Sequence, residues 1–186
     1  MIANILHGLS NLVVPQQKSS LFKTIAFYGA ITVLERVIGS AGGKEKQIYE
    51  SLNQPPWAPP AWVFAPAWIL NNMILLYGNK RLMEAPDTLP HKKVLLGLQG
   101  AIWGVYATFN YVYFKKKSPV LAAIWTQADM IFALTSLILA SRGDRKIALS
   151  FVPLTLWTSF ASTLAWYQAL YNPDDLLKTE APLELT

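Results

Sequence analysis

The sequence has no cysteine, few histidines and few charged residues. Among its 186 residues there are two His and no Cys, and 15% of the residues are charged, against about 25% in typical soluble domains. The lack of cysteine excludes disulfides, Cys-ligated zinc, iron–sulfur clusters and thiol nucleophiles. The two histidines, His7 and His91, do not favour a multi-histidine metal site. The sequence also lacks a glycine-rich phosphate loop, a nucleophile elbow and a pair of spaced carboxylates, so no enzyme class is indicated.

Apolar residues are abundant instead, and they form long blocks without charge. The hydrophobic fraction is 53%, the aromatic fraction is 12% and the mean hydropathy is +0.28. Residues 51–79, 94–114 and 147–173 contain no charged side chain, and residues 119–141 contain only Asp129. Because the hydrocarbon core of a bilayer requires about 20 apolar residues per helix, these blocks predict membrane-spanning helices. The net charge of +5 lies largely in the connectors between them, which favours loops at lipid headgroups over a nucleic-acid surface.

We therefore predict an all-α, multi-pass integral membrane protein with a five-transmembrane-helix bundle in residues 21–172. The expected spans are about residues 21–40, 60–80, 93–114, 119–141 and 147–171. Only residues 24–34 of the first span are free of charge, so this segment could instead be an interfacial helix. Residues 1–20 are expected to form an N-terminal extension that could lie on the membrane surface. Residues 173–186 are expected to form a polar, solvated C-terminal tail.

Aromatic and polar residues recur at helical spacing on the predicted spans. The third span carries such a stripe at intervals of three and four residues, which places its members on one helix face: Gln99, Trp103, Tyr106, Asn110 and Tyr113. Shorter stripes lie on the other spans: Phe64, Trp68 and Asn71; Trp125 and Asp129; Trp157, Ala161, Leu164 and Gln168. Helix packing with amides bonded across helices accounts for any one of these residues. Their coincidence on several spans favours an aromatic-lined cavity for a flat apolar ligand.

Two segments carry a resemblance to a known family. The sequence LNQPPWAPPAWVFAPAWIL at residues 52–70 resembles the signature of the translocator protein family, also called tryptophan-rich sensory proteins (TspO/MBR) or peripheral-type benzodiazepine receptors. The sequence FVPLTLWTSFASTLAWYQALYN at residues 151–172 is similar to the last helix of that family. The resemblance covers about residues 49–172. It implies a five-helix membrane bundle, often dimeric, that binds tetrapyrroles such as protoporphyrin IX and haem, and in animals cholesterol and benzodiazepine-type drugs.

The resemblance also implies a set of ligand-binding residues. Trp68 and Trp157 match the tryptophans that line the family's cavity, and Ala161 matches the small residue beside the second. Three further residues match the loop that covers the cavity: Trp57, Pro59 and Pro60. Together with the helical stripes, the predicted ligand-binding residues are Trp57, Pro59, Pro60, Phe64, Trp68, Asn71, Gln99, Tyr106, Asn110, Trp157 and Ala161.

The chain departs from the family pattern at several positions. Asn71 and Leu154 stand where the family usually has tyrosine, and Ala165 stands where it has asparagine. Ile102 and Tyr106 occupy the family's Gln and Asn positions, for which Gln99 and Asn110 could substitute from adjacent turns. The resemblance therefore implies the fold and the binding of a hydrophobic ligand, but it does not imply which ligand is bound.

Three functions are consistent with these observations. The first is a non-enzymatic binding and regulatory membrane protein that needs no obligatory cofactor and takes a tetrapyrrole as its ligand. The second is a transporter of such ligands, in which Asp129 would be a proton or polar relay, although this acid could equally pair with a neighbouring amide or hydroxyl. The third is light-dependent porphyrin breakdown, with Trp68 and Trp157 as oxidisable indoles. The expected partners are the lipid bilayer, a small planar apolar ligand and a second copy of the chain, without nucleic acid, and the membrane is either a bacterial inner membrane or an organelle membrane.

Overall fold

A computed structural model describes residues 21–184, and the described part of the chain contains five long helices and one short one. The helices are α1 (Leu21–Gly39), α2 (Glu45–Ser51), α3 (Phe64–Glu84), α4 (Lys92–Asn110), α5 (Pro119–Ser141) and α6 (Arg145–Tyr171). A 3-10 turn over Ala61–Val63 precedes α3, and a π-helical turn over Tyr111–Lys115 follows α4. Residues 21–184 contain no β-strand, so the predicted all-α fold is confirmed. The predicted N-terminal extension lies outside the described residues.

Each of the five predicted spans overlaps one long helix. Within residues 21–184, three helical segments are long and apolar enough to cross a membrane: Ala61–Glu84, Pro119–Ser141 and Arg145–Tyr171. Their outward faces expose large apolar side chains such as Leu70, Ile138 and Leu156, as expected for surfaces in contact with lipid. The integral membrane location is therefore supported, while membrane crossing by α1 and α4 stays a prediction. The short helix α2, between the first and second spans, was not predicted.

The start of each of the last two helices is capped by a side chain. Ser118 Oγ accepts a hydrogen bond from Leu121 N (3.2 Å), and Pro119 occupies the first turn of α5. Asp144 Oδ1 accepts hydrogen bonds from Lys146 N (2.8 Å) and Ile147 N (3.1 Å) at the start of α6. Such caps satisfy backbone N–H groups that have no partner within the helix. α6 continues through Pro153 to Tyr171.

Helix α6 packs against both α5 and α3, and α4 packs against α1 and α5. The core between these helices includes fully buried aliphatic and aromatic side chains: Leu75, Leu82, Leu95, Ile102, Ile147, Phe151 and Leu154. Gly78 marks a close approach of α3 to α6, because a Cβ at this position would lie 2.7 Å from Ser150 Cβ. Gly39 marks a similar approach of α1 to the π-helical turn that follows α4, where a Cβ would lie 2.7 Å from Tyr111 N. Small residues at such contacts are typical of membrane helix bundles.

Asp174 differs from the expected solvated tail. It is only 2% exposed, and its Oδ2 accepts hydrogen bonds from Ser118 Oγ (2.6 Å) and Val120 N (3.1 Å) at the start of α5. Its Oδ1 accepts two more, from Leu176 N (3.0 Å) and Leu177 N (2.8 Å). The carboxylate is buried because backbone and hydroxyl donors satisfy both of its oxygens. The first residues of the tail are thus part of the folded bundle.

Candidate ligand-binding cavity

A cavity of about 760 Å³ lies at one end of the bundle. The C-terminal halves of α1, α4 and α6 meet the N-terminal halves of α3 and α5 around this cavity. This arrangement is expected for a bundle in which successive long helices run in opposite directions. Residues of α2 and the following turn, including Tyr49, Pro60 and Trp62, complete the wall. The predicted site residues that line the cavity are Pro60, Phe64, Trp68, Tyr106, Asn110, Asp129, Trp157 and Ala161.

Four aromatic side chains from three helices form one continuous cluster in this wall. The ring centroids of Trp68 and Trp157 lie 6.4 Å apart with planes at 83°. Phe64 lies 5.8 Å from Trp157, and Tyr106 lies 5.8 Å from Trp68. Edge-to-face and tilted pairs of this kind contribute about 0.5–1.5 kcal/mol each beyond their buried area. The cluster therefore holds α3, α4 and α6 together and presents a firm apolar surface to the cavity.

The polar part of the lining lies mostly towards α1 and α2. Asn110 Nδ2 donates a hydrogen bond to Glu35 Oε1 across the α1–α4 contact. Glu45 begins α2, and hydrogen bonds from backbone N–H groups, including its own and that of Ala41, hold the pKa of its carboxyl below the ordinary value. Arg36 and Lys46 add positive charges to the same rim. The cavity thus combines an apolar interior with a charged rim, the usual layout of a site for an amphipathic small molecule.

The chain between α1 and α3, called the connection below, is held in place by hydrogen bonds from the side chains of Tyr49 and Gln54. Tyr49 OH donates to the carbonyl of Pro59 (2.8 Å), and Gln54 Nε2 donates to the carbonyl of Tyr49 (2.6 Å). Burial raises the pKa of the Tyr49 phenol, which therefore stays a neutral hydrogen-bond donor. These bonds fix the position of Pro59 even though Pro59 does not itself line the cavity.

The same connection is tied to the end of α6 by Gln168 and Asn172. Gln168 Nε2 donates to Gln54 Oε1 (2.8 Å), while Gln168 Oε1 accepts from Tyr113 OH (2.9 Å). Asn172 Oδ1 accepts from Asn53 N (2.7 Å), and Asn172 Nδ2 donates to the Asn53 carbonyl (3.1 Å). We call these residues the amide latch: Asn53, Gln54, Tyr113, Gln168 and Asn172.

Only part of the amide latch was predictable from the sequence. The helical stripes contained Tyr113 and Gln168, and an amide inside a span was a usable signal of a polar contact between elements. Asn53 and Gln54 lie in a loop, where asparagine and glutamine are common, so no pattern distinguished them.

Four of the predicted site residues lie outside the cavity lining. Trp57 is 52% exposed and donates from Nε1 to Thr163 Oγ1 (3.2 Å), beside α6. The carbonyl of Pro59 accepts the hydrogen bond from Tyr49 OH that holds the connection in place, as described above. Asn71 is buried on α3, with Nδ2 bonded to the Ala67 carbonyl (2.8 Å). Gln99 is 5% exposed and joins α4 to α5 through a 3.0 Å bond from Nε2 to Ser136 Oγ.

The outcome for Gln99 favours the helix-packing interpretation of an intramembrane amide. Gln99 and Asn110 were expected to substitute for polar family positions on adjacent turns. Only Asn110 reaches the cavity, whereas Gln99 is directed into the α4–α5 contact. Tyr106, at the family's Asn position, does line the cavity and supplies an aromatic ring there.

Comparison with known proteins agrees with this architecture. The model of the TspO/MBR family matches residues 22–170. The chain is 24% identical over 129 residues to the "Tryptophan-rich protein TspO" of Chlorobaculum tepidum, covering 67% of this chain and 79% of that protein. It is 25% identical over 135 residues to the "Protein CrtK" of Rhodobacter capsulatus, covering 68% of this chain and 79% of that protein. The family match spans most of the described bundle, so this integral membrane protein belongs to the TspO/MBR family.

Proposed function

We propose that this protein is a non-enzymatic membrane sensor or regulator that binds a planar apolar ligand of the tetrapyrrole class between its helices. The single observation that carries the proposal is the cavity of about 760 Å³ whose wall contains the cluster of Phe64, Trp68, Tyr106 and Trp157. Sites for drug-sized molecules occupy about 300–1,000 Å³ and are lined mainly by apolar and aromatic side chains with a few polar groups. Names given to relatives, such as tryptophan-rich protein, are compatible with this use of the tryptophans.

The shape of the cavity suits such a ligand. The aromatic wall offers ring faces and edges against which a flat conjugated molecule packs. The rim carries charges of both signs, from Arg36 and Lys46 and from Glu35, Glu45 and Glu50. The connection held by the amide latch closes part of the same end of the bundle, so occupancy of the cavity and the position of this connection are expected to be coupled. Such coupling is what a sensory role requires.

Titration with protoporphyrin IX tests the binding proposal. Purified protein in detergent is titrated while the porphyrin absorbance and the tryptophan fluorescence are recorded, with the wild type compared with the double variant Trp68→Phe, Trp157→Phe. We expect saturable binding in the wild type and about tenfold weaker binding in the double variant, because two large contact surfaces are reduced.

Trp166→Phe is the matched control, since Trp166 lies on α6 outside the cavity and donates from Nε1 to Gln127 Oε1 (3.1 Å). Its dissociation constant should equal that of the wild type. No saturable binding in the wild type, or equal affinities of the wild type and the double variant, would contradict the proposal.

A transport role is the second candidate, and the position of Asp129 is the observation that favours it. Asp129 is one of the residues that line the cavity on α5, and acids at such depth are often parts of ion or substrate pathways. Uptake of protoporphyrin IX into proteoliposomes is the relevant assay. Transport through this acid predicts flux that falls at least tenfold in Asp129→Asn, whereas flux that is absent, or unaffected by the substitution, would contradict this role for Asp129.

A further inference from the structure

The two connectors at the end of the bundle opposite the cavity pack against each other. Arg81, near the end of α3, places its Nη2 atom 2.7 Å from Oδ2 of Asp144, the residue that caps α6. Gly143 lies so close to the connector between α3 and α4 that a Cβ there would be 2.8 Å from Leu89 Cδ1. The ends of α3 and α5 and the starts of α4 and α6 therefore form one continuous surface. We call residues 80–93 and 142–146 of this surface the basic end.

Positive charge is concentrated at the basic end. Its residues include seven Lys or Arg and only three Asp or Glu. At the cavity end, the segments 35–50, 115–117 and 174–184 together carry seven residues of each sign. The excess positive charge of the described bundle therefore lies at the end that is far from the ligand-binding cavity.

Three of the seven basic residues are paired within the protein. The pairs are Lys80 with Glu84 (2.7 Å), Arg81 with Asp144 (2.7 Å) and Lys92 with Asp87 (2.8 Å), and they engage every acidic residue of the basic end. The other four basic residues are exposed and form no ion pair within residues 21–184: Lys93, Arg142, Arg145 and Lys146. This surface thus holds four positive charges that the chain itself does not neutralise.

Three of these charges lie where they do not stabilise the fold. Arg145 and Lys146 begin α6, and Lys93 lies in the first turn of α4. The N-terminus of a helix is the positive end of its dipole, so anions are favourable there and cations are not. Neither first turn contains an acidic residue. Folding therefore does not account for these charges, and a negatively charged partner outside the chain does.

Exposed apolar side chains lie directly beside the unpaired charges. Val94 follows Lys93 and is exposed, and Leu149, one turn after Lys146, is exposed as well. Helices α5 and α6, which are long and apolar enough to span a membrane, end and begin at this level. A phospholipid offers a phosphate to the charges and acyl chains to the apolar side chains, whereas a soluble polyanion offers only the charge. The basic end therefore fits a lipid better than a soluble anion.

We propose that the basic end binds the headgroups of anionic phospholipids. The lipid phosphates contact Lys93, Arg142, Arg145 and Lys146, and the acyl chains lie along the adjoining apolar faces of α4 and α6. Clusters of four or more Lys and Arg beside a membrane helix attract negatively charged lipids in this way, and guanidinium groups bind phosphate through two parallel hydrogen bonds. The cavity end, where the charges balance, has no such preference, so the two ends of the protein differ in the lipids that they hold.

Electron paramagnetic resonance with spin-labelled lipids tests the preference. The full-length protein is reconstituted into dioleoyl phosphatidylcholine vesicles with a trace of spin-labelled phosphatidylglycerol or spin-labelled phosphatidylcholine, and the motionally restricted fraction gives their relative association constant. One Lys or Arg near the surface favours an anionic lipid about fivefold. Because this is averaged with boundary positions that have no preference, we expect phosphatidylglycerol to associate about threefold more strongly. The ratio should fall towards one in about 1 M NaCl, since salt screens exposed charges.

Two fourfold variants with the same net charge show where the lipid binds. The basic-end variant carries Lys93→Gln, Arg142→Gln, Arg145→Gln and Lys146→Gln. The control variant changes four exposed lysines at the cavity end in the same way: Lys44→Gln, Lys115→Gln, Lys116→Gln and Lys178→Gln. We expect a ratio of about one in the basic-end variant and the wild-type ratio in the control, because attraction to the headgroup acts only over about a Debye length.

Several results would overturn the proposal. These are a wild-type ratio of one, an unchanged ratio in the basic-end variant, or an equal loss in both variants, which would mean that net charge rather than this surface decides. Inorganic phosphate should not displace phosphatidylglycerol at an ionic strength matched with NaCl, and displacement would show a site for a free anion instead. Should the fourfold variant not fold, Lys93→Gln with Lys146→Gln should give an intermediate ratio, and the wild-type ratio there would also overturn the proposal.

Discussion

Replacing Gln168 by leucine should loosen the connection at the end of the cavity and speed up ligand release. Gln168 is buried and joins α6 to two other segments, through Gln54 in the connection and Tyr113 in the π-helical turn. Leucine has a similar volume but cannot make either hydrogen bond. The substitution therefore breaks the amide latch at its centre while keeping an apolar side chain inside the bundle.

The magnitude follows from the two bonds considered separately. Loss of the 2.8 Å bond to Gln54 removes about 1 kcal/mol from the attachment of the connection, which corresponds to about a fivefold faster dissociation. Loss of the 2.9 Å bond from Tyr113 leaves its hydroxyl buried without a partner, because Tyr113 is 6% exposed. An unpaired buried hydroxyl costs about 1–3 kcal/mol, so the free energy of unfolding should fall by about this amount.

Dissociation is measured by stopped flow, with protoporphyrin IX bound to the protein and excess serum albumin as the scavenger. Thermal unfolding is followed in parallel in the same detergent. Gln127→Leu is the matched control, since Gln127 lies on α5 outside the cavity and the amide latch. We expect its dissociation rate to equal that of the wild type.

A dissociation rate in Gln168→Leu within twofold of the wild type would refute the claim that the connection restrains the ligand. An equal acceleration in Gln127→Leu would also refute it, because the effect would then not depend on the latch.

Two further predictions concern stability. Gly78→Ala should lower the melting temperature, because the added Cβ would lie 2.7 Å from Ser150 Cβ and overpacking costs about 1–3 kcal/mol. Gly100→Ala is the control and should keep the wild-type melting temperature, because a Cβ at this position meets nothing within 4 Å. Equal melting temperatures of the two variants would contradict the close approach at Gly78. Hydrogen bonding to Arg81 holds the pKa of Asp144 below its ordinary value, so this carboxylate stabilises the fold above its unfolded pKa of about 3.9 and loses that effect as the pH falls through the lower folded pKa. Melting temperatures from pH 7 to 3 should therefore fall less steeply in Asp144→Asn, and an identical decline would count against the ion pair.

The predicted long helices were the part most accessible from sequence. Charge-free blocks of membrane length give a signal that does not depend on tertiary contacts, and the observed helices α3, α5 and α6 follow these blocks closely. The short helix α2 left no such signal, because seven residues of which five besides Tyr49 are charged or polar do not differ from a loop in composition.

Helical spacing and family resemblance both pointed to Trp68 and Trp157, and both residues line the cavity. Residue type and spacing did not tell which way an individual polar side chain is directed. Gln99 and Asn110 lie on one predicted stripe, yet one joins α4 to α5 and the other lines the cavity. The burial of Asp174 was also not predictable, because it depends on donors from Ser118 and Val120, more than 50 positions earlier in the chain.

The most direct measurement of the central claim is the position of a bound tetrapyrrole in the protein. Crystals grown in lipid with zinc protoporphyrin IX give an anomalous signal at the metal, which locates the macrocycle independently of side-chain interpretation. We expect one peak inside the cavity, beside the rings of Trp68 and Trp157 and below the connection held by the amide latch. A peak on the lipid-facing surface of the bundle, with the cavity empty of ligand, would contradict it.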